Sequence, residues 1–209
     1  MRRFLAMVLL LCLMGTMVGC ANKNPNNGNE NAANALSRGT INGDLYSSEF
    51  IGLNFTKPKG WIYSTDEDIA SMMQISSELL QTDKFVEQVA KMSTVYDMMA
   101  KDPLSGNNIN VVFENLKVSG SSNITVEQYI EVAKKQLIQQ APMLGYKFGE
   151  AEKCKLGELE FYRVPADGSY SGVQFNQRIY MRKEGTYMIV ITLTLFDKTD
   201  GATIEKMFY

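Results

Sequence analysis

Residues 173–196, VQFNQRIYMRKEGTYMIVITLTLF, decide the fold. From Val173 to Lys183 the side chains alternate, with Val173, Phe175, Gln177, Ile179 and Met181 on one face and Gln174, Asn176, Arg178, Tyr180 and Arg182 on the other. A period of two with one apolar face is the pattern of a half-buried strand. The break at Glu184-Gly185 is too short for a crossover, so Thr186 to Phe196 must return antiparallel. In the returning strand Tyr187, Ile189, Ile191, Leu193 and Leu195 form the partner's apolar face, with Met188 and Val190 behind them. A run apolar on both sides predicts a central strand covered on both faces.

Upstream, Tyr146 to Lys155 and Leu159 to Pro165 meet across Gly157 and extend the antiparallel meander. Before them the 3.6 period of Val126, Tyr129, Ile130, Ala133, Leu137 and Ala141 predicts a helix over 125–141. The capping box Thr125-Val126-Glu127-Gln128 opens it, Pro142 ends it, and Glu131 faces Lys135 one turn on. Val95 to Ala100 and Ile109 to Val118 read as strands joined by a loop rich in turn residues. Ser64-Thr65-Asp66-Glu67 predicts a helix start, followed by Ile69, Met72, Met73, Leu79 and Leu80 at helical spacing, and a second helical piece runs from Asp83 to Met92. Short strands lie around Phe50, Leu53 and Phe55, and a short helix with Ile204, Met207 and Phe208 closes the chain. The expected architecture is an α/β (α+β) domain, an antiparallel β-sheet flanked by helices.

The N-terminus carries a different signal. Arg2 and Arg3, the apolar run Phe4 to Met14 and the small-residue approach to Gly19 make a secretory signal over residues 1–19. The run falls short of the ~20 residues a spanning helix needs. With Cys20 directly behind Gly19, the segment resembles a bacterial lipoprotein signal, in which the thiol receives diacylglycerol. That resemblance implies a membrane partner through an N-terminal lipid and a place on the extracytoplasmic face of the cell membrane. Residues 20–43, rich in Asn with Pro25 and Gly28, read as a disordered tether, leaving 44–209 as the folded domain.

Composition excludes several chemistries. The 209 residues include no histidine, which removes His-dependent nucleophiles, imidazole proton shuttles and His-ligated zinc or haem. Removal of Arg2 and Arg3 with the signal takes the formal charge from −2 to −4, the wrong sign for nucleic acid as a partner. Cys12 leaves with the signal and Cys20 is the acylation site, so Cys154 stands alone and no disulfide is expected within the domain. No cofactor or metal is expected. Nucleotide-binding glycine loops are absent, and Asp197-Lys198-Thr199-Asp200-Gly201 fails as a calcium loop because Phe196, Lys198 and Met207 fall at ligand positions. Asp66-Glu67-Asp68 has the composition of a metal site, yet acids in a first turn are what a helix N-terminus selects. Cys154 lies between Lys153 and Lys155, with no base to activate it.

Six side chains are candidates for a ligand or partner surface. Trp61, the only tryptophan, follows the Pro58-Lys59-Gly60 corner, where a ring serves either as a platform or as the lid of a core. Met72, Met73, Met92, Met98 and Met99 cluster in the helical region and the strand after it, and methionine surfaces repack around varied partners or fill irregular cores.

The Pro58-Lys59-Gly60-Trp61 corner, the β pair, the capped helix, the meander and the terminal helix together resemble the PsbP-like α-β-α sandwich, which is shared with LpqN-type lipoproteins. The combined pattern Tyr46 to Phe55, Pro58 to Trp61, Tyr96-Asp97-Met98 and Ile109 to Leu116 is similar to uncharacterised lipoproteins of clostridial-type Gram-positive bacteria. The resemblance implies a non-catalytic binding or accessory module of the cell envelope, with an envelope protein or a hydrophobic ligand as partner. The alternatives are a carrier of a hydrophobic small molecule, with a cavity near Met72, Met92 and Met98, and a hydrolase using paired carboxylates.

Overall fold

The strand at the centre of the molecule, β11, spans Tyr187–Leu195 and is buried along almost its whole length. In this computed structural model residues 36–82 and 85–209 are described. The expected signal, Cys20 and the tether as far as residue 35 lie outside them.

In chain order the elements are β1 (Thr40–Asn42), β2 (Leu45–Ser48), β3 (Leu53–Thr56), β4 (Ile62–Tyr63), α1 (Asp66–Met73), a 3₁₀ turn (Ser77–Gln81) and α2 (Phe85–Val89). There follow β5 (Thr94–Lys101), β6 (Asn108–Asn115), α3 (Val126–Gln140), a 3₁₀ turn (Pro142–Leu144), β7 (Lys147–Phe148), β8 (Glu152–Leu156), β9 (Leu159–Tyr170), β10 (Val173–Glu184), β11 and α4 (Gly201–Glu205). Eight strands form one antiparallel sheet in the order β4-β5-β6-β11-β10-β9-β7, with β8 also on β9, and β1-β2-β3 form a small second sheet. The expected mixed architecture is therefore present, an antiparallel sheet flanked by helices.

Two hydrophobic cores lie against the large sheet. The larger gathers Tyr46 and Phe55 of the small sheet, Trp61, Ile69 of α1, Met98, Phe113 and Phe208. The smaller packs Tyr129, Ile130, Ala133 and Leu137 of α3 on Val164, Ile179, Met181, Met188 and Val190. The register Met181↔Val190 and Tyr180↔Ile191 decides which faces agree. The apolar face of β10 joins Met188 and Val190 under α3, whereas Arg178 and Tyr180 lie on the side of Ile191 and Leu193. The two apolar faces expected to match thus point to opposite sides of the sheet.

Local boundaries differ from the sequence expectation for physical reasons. The capping box at α1 is Thr65 with Asp68, one residue later than expected. Ser64 is held back because its N–H still donates to Met99 O at 2.9 Å, continuing the strand pairing. Gln74, at φ +56°, ends α1, so Leu79 and Leu80 fall on a separate turn. In α3 Glu131 pairs with Lys134 rather than Lys135. The strand expected to end at Pro165 runs on to Tyr170 and turns through Ser171 and Gly172, both at positive φ, the two-residue geometry that suits a hairpin. Asp167 and Gly168 look like turn residues, but Gly168 is required by packing, since a Cβ there would come within 2.4 Å of the Phe175 ring.

Residues 36–43, expected as part of the tether, belong to the fold. Leu36 is buried in the larger core, Arg38 pairs with Asp66 at the start of α1, and β1 pairs with β2. Gly39 N–H donates to Asp97 Oδ1 at 2.9 Å, and the Tyr46 hydroxyl donates to Asp97 Oδ2. Asp97 sits where the β5–β6 register shifts between Tyr96 and Met98, and this bulge turns a polar side chain into the core. Gly39 has no room for a side chain, because its Cβ would lie 2.3 Å from Tyr46 Cε2 and 2.8 Å from Asp97 Oδ2. Gly39→Ala should therefore lift the strap formed by residues 36–42, costing about 1–3 kcal/mol and raising amide exchange over those residues. Unchanged exchange there would show that the strap is not held by this contact.

Candidate functional site

The residues singled out from the sequence are mostly interior. Trp61 is 6% exposed, Met73, Met98 and Met99 are buried in the larger core, and Met72 and Met92 are half-buried against it. Trp61 closes the core, and the methionines fill space between α1, α2 and β5. Cys20 lies outside the described residues.

A groove of about 410 Å³ instead opens at the end of the large sheet. Its walls come from Ile62 of β4, Leu104 in the β5–β6 loop, Val173 at the start of β10 and Phe196 just after β11. Exposure is 47% for Ile62, 95% for Leu104 and 50% for Val173, which makes a contiguous apolar patch rather than scattered surface residues. Lys101 and Asn108, opposite one another on β5 and β6, lie beneath the loop. Behind Asn108 a buried polar row closes the core. Gln177 donates through Nε2 to Thr194 Oγ1 at 2.9 Å and accepts through Oε1 from the Tyr146 hydroxyl at 3.1 Å.

The loop of residues 102–107 is braced from within and from behind. Asp102 Oδ1 accepts from Leu104 N at 2.9 Å, and its Oδ2 accepts from Ser105 Oγ at 2.7 Å. Asn107, 2% exposed, donates through Nδ2 to Asp197 Oδ1 at 2.9 Å and accepts from Phe196 N at 2.8 Å. Gly106, at φ +83°, lies against the edge of the Phe196 ring. These bonds hold Asp102 and Asp197 below the usual carboxylate range, through Ser105 for the first and Asn107 for the second. Lys101 takes part in none of the ion pairs among the described residues. The sequence signal for this site is a lone Leu104 inside the turn-rich stretch Pro103-Leu104-Ser105-Gly106, which periodicity does not single out.

Other candidate chemistries are engaged structurally. On the polar face of β10, Arg178 and Tyr180 are engaged by α4, while Gln174 and Asn176 stay exposed. Glu205 accepts from Arg163 and Arg178, each at 2.9 Å, and from the Tyr180 hydroxyl. Burial opposes the charged form of Glu205, but these donors hold its carboxyl below the ordinary value. Asp200 caps α4 through Ala202 N at 3.0 Å. Burial raises the Cys154 thiol, against the reactive thiolate. Among the described residues no three His, Cys, Asp or Glu side chains gather as a metal site.

Two acids are buried on the central strands. Burial pushes Asp97 up to about 6 despite the donors from Tyr46 and Gly39, and pushes Glu114 up to about 7 despite the Thr94 hydroxyl at 3.1 Å. They are held by different donors, on β2 and the strap for Asp97 and at the start of β5 for Glu114.

No protein-family model matches the chain, and no curated protein matches it. Among solved structures, a crystal structure from Bacteroides thetaiotaomicron is similar over 75% of this chain at 8% identity and a TM-score of 0.40; the match covers 44% of that longer protein. The solution structure of cyanobacterial PsbP (CyanoP) from Synechocystis is similar over 82% of this chain and 97% of its own, at 13% identity and a TM-score of 0.46. Both scores lie below 0.5, and the fold described above stands on its own strand order and layers.

The chain has no histidine, and the raised carboxyls of Asp97 and Glu114 bring proton uptake into the range around pH 6 and 7. Both are raised above the ordinary carboxylate value, so the folded state binds more protons than the unfolded one. Their stabilising contribution is complete in acid and is lost as pH rises through about 6 and 7. Urea denaturation should find the protein about 2–4 kcal/mol less stable at pH 8 than at pH 5. Glu114→Gln should flatten the upper part of that decline, and a profile that rises over this range would refute the assignment.

Proposed function

We propose that this chain is a membrane-anchored extracytoplasmic lipoprotein, held through Cys20, whose domain acts as a non-catalytic binding module and receives an apolar group of its partner in the groove beside Leu104. The observation that carries the reading is a preformed apolar groove with a braced wall. A rigid wall loses little conformational entropy on binding, so the burial of Ile62, Leu104, Val173 and Phe196 is not offset by ordering a loop. About 410 Å³ lies in the lower part of the range of ligand sites, enough for one or two large side chains or a short apolar ligand. The buried methionines move the carrier alternative away from Met72, Met92 and Met98, since that region is packed with side chains. No helix among the described residues is long and apolar enough to cross a membrane.

Nile red, a neutral apolar dye, probes the groove directly. Wild-type protein should bind it, and Val173→Glu and Leu104→Glu should each weaken binding about tenfold or more. Both positions are half or more exposed, so these substitutions should leave the fold within about 0.5 kcal/mol. Val118→Glu, at another exposed apolar position, should bind as wild type does. Equal binding by all four proteins would place the apolar site elsewhere.

A further inference from the structure

The groove has a feature that a small ligand uses only in part. Leu104 is 95% exposed at the tip of its loop, so a molecule lying within the groove would leave most of that side chain in water. A macromolecular surface would cover it. The same loop thus presents a knob, Leu104, and borders a hole between Ile62, Val173 and Phe196. At its base it also carries a cation and an anion side by side, Lys101 and Asp102.

A surface that carries a knob and a hole, and charges of both signs, has the elements of an isologous contact, in which each copy offers the same patch to the other across a two-fold axis. We infer, resting on the groove reading above, that the partner is a second copy of this chain, each copy placing its Leu104 in the other's groove. The rotation that exchanges the two leucines also brings Lys101 of each copy toward Asp102 of the other. Lys101 has no ion pair among the described residues, so no existing pair is broken. Asp102 stays ionised, because its bonds from Leu104 N and Ser105 Oγ hold its carboxyl low, and a carboxylate keeps acceptor capacity beyond two bonds. The patch is small, which makes the contact weak in dilute solution. Anchoring both copies to one membrane would raise their effective concentration and favour pairing there.

The test is sedimentation equilibrium on the chain from residue 20 onward with Cys20→Ser, which retains every described residue. The parent should show a reversible monomer–dimer equilibrium below about 1 mM, with Leu104→Glu and Val173→Glu each weakening it about tenfold or more and Val118→Glu leaving it unchanged. Lys101→Glu should weaken it less, and its effect should shrink in high salt. Nile red should compete with dimerisation, because both occupy the groove. A parent that stays monomeric yet binds the dye overturns the second copy and leaves the groove reading standing. A parent that neither dimerises nor binds the dye removes both. A dimer indifferent to Leu104→Glu overturns the inference by placing the contact on another face.

Discussion

The fold depends on the pairing of β11 along both edges. Its residues match β10 from Glu184↔Tyr187 to Asn176↔Leu195 and β6 from Tyr187↔Asn115 to Thr194↔Asn108. Every backbone donor and acceptor along this strand can thus find a partner without water, which allows its side chains to be apolar on both faces. One face carries Ile189, Ile191 and Leu193 into the larger core, and the other carries Met188 and Val190 under α3. With no disulfide among the described residues, cohesion comes from these two cores and from the hydrogen bonds that let them meet at one sheet.

Polar groups within this apolar interior act as fasteners at the places where regular pairing stops. Asp97 stands at the β5 bulge and gathers Gly39 and Tyr46, tying the first described residues to the sheet. Asn107 stands where the β5–β6 loop re-enters the sheet and ties it to the chain leaving β11. Glu205 gathers Arg163, Arg178 and Tyr180 and seats α4 on the polar side of β10. A buried polar group without partners would cost roughly 1–3 kcal/mol, so each of these works only with its full set of donors and acceptors. That requirement fixes the geometry of the segment it holds.

The sequence was most legible where periodicity and capping act locally. The 173–196 hairpin and the helix after Thr125 follow from alternation and a capping box, and both are present. What periodicity does not encode is which side of the sheet a face looks toward. The apolar faces of β10 and β11 point opposite ways because the register, fixed at the Gly185-Thr186 turn, sets Tyr180 rather than Ile179 against Ile191. The early boundary of the fold was hidden for a similar reason. Arg38 and Gly39 read as tether, and their role exists only through Asp66 and Asp97, which lie 28 and 58 residues away. The groove was the least visible feature, since Ile62, Leu104, Val173 and Phe196 come from four separate stretches of the chain.

That origin also explains why the groove remains open while the methionine region is filled. Met73, Met98 and Met99 lie within or beside regular elements whose neighbours close over them, and flexible thioethers take up the remaining irregular space. At the end of the sheet β4 contributes only two residues of pairing, Ile62 and Tyr63, so the side of β5 there has no long strand to cover it. Loop 102–107 rises above the sheet instead of folding down, because Asp102 turns its acceptors toward Leu104 and Ser105 while Asn107 anchors the loop from behind. Pulling Asn107 away from Asp197 and Phe196 would leave buried polar groups unpaired at roughly 1–3 kcal/mol each, a cost comparable to the roughly 1.5–3 kcal/mol that full burial of Leu104 would return. The hydrogen bonds made beneath the groove therefore oppose its closing, and what the groove offers to a partner is shape and apolar area.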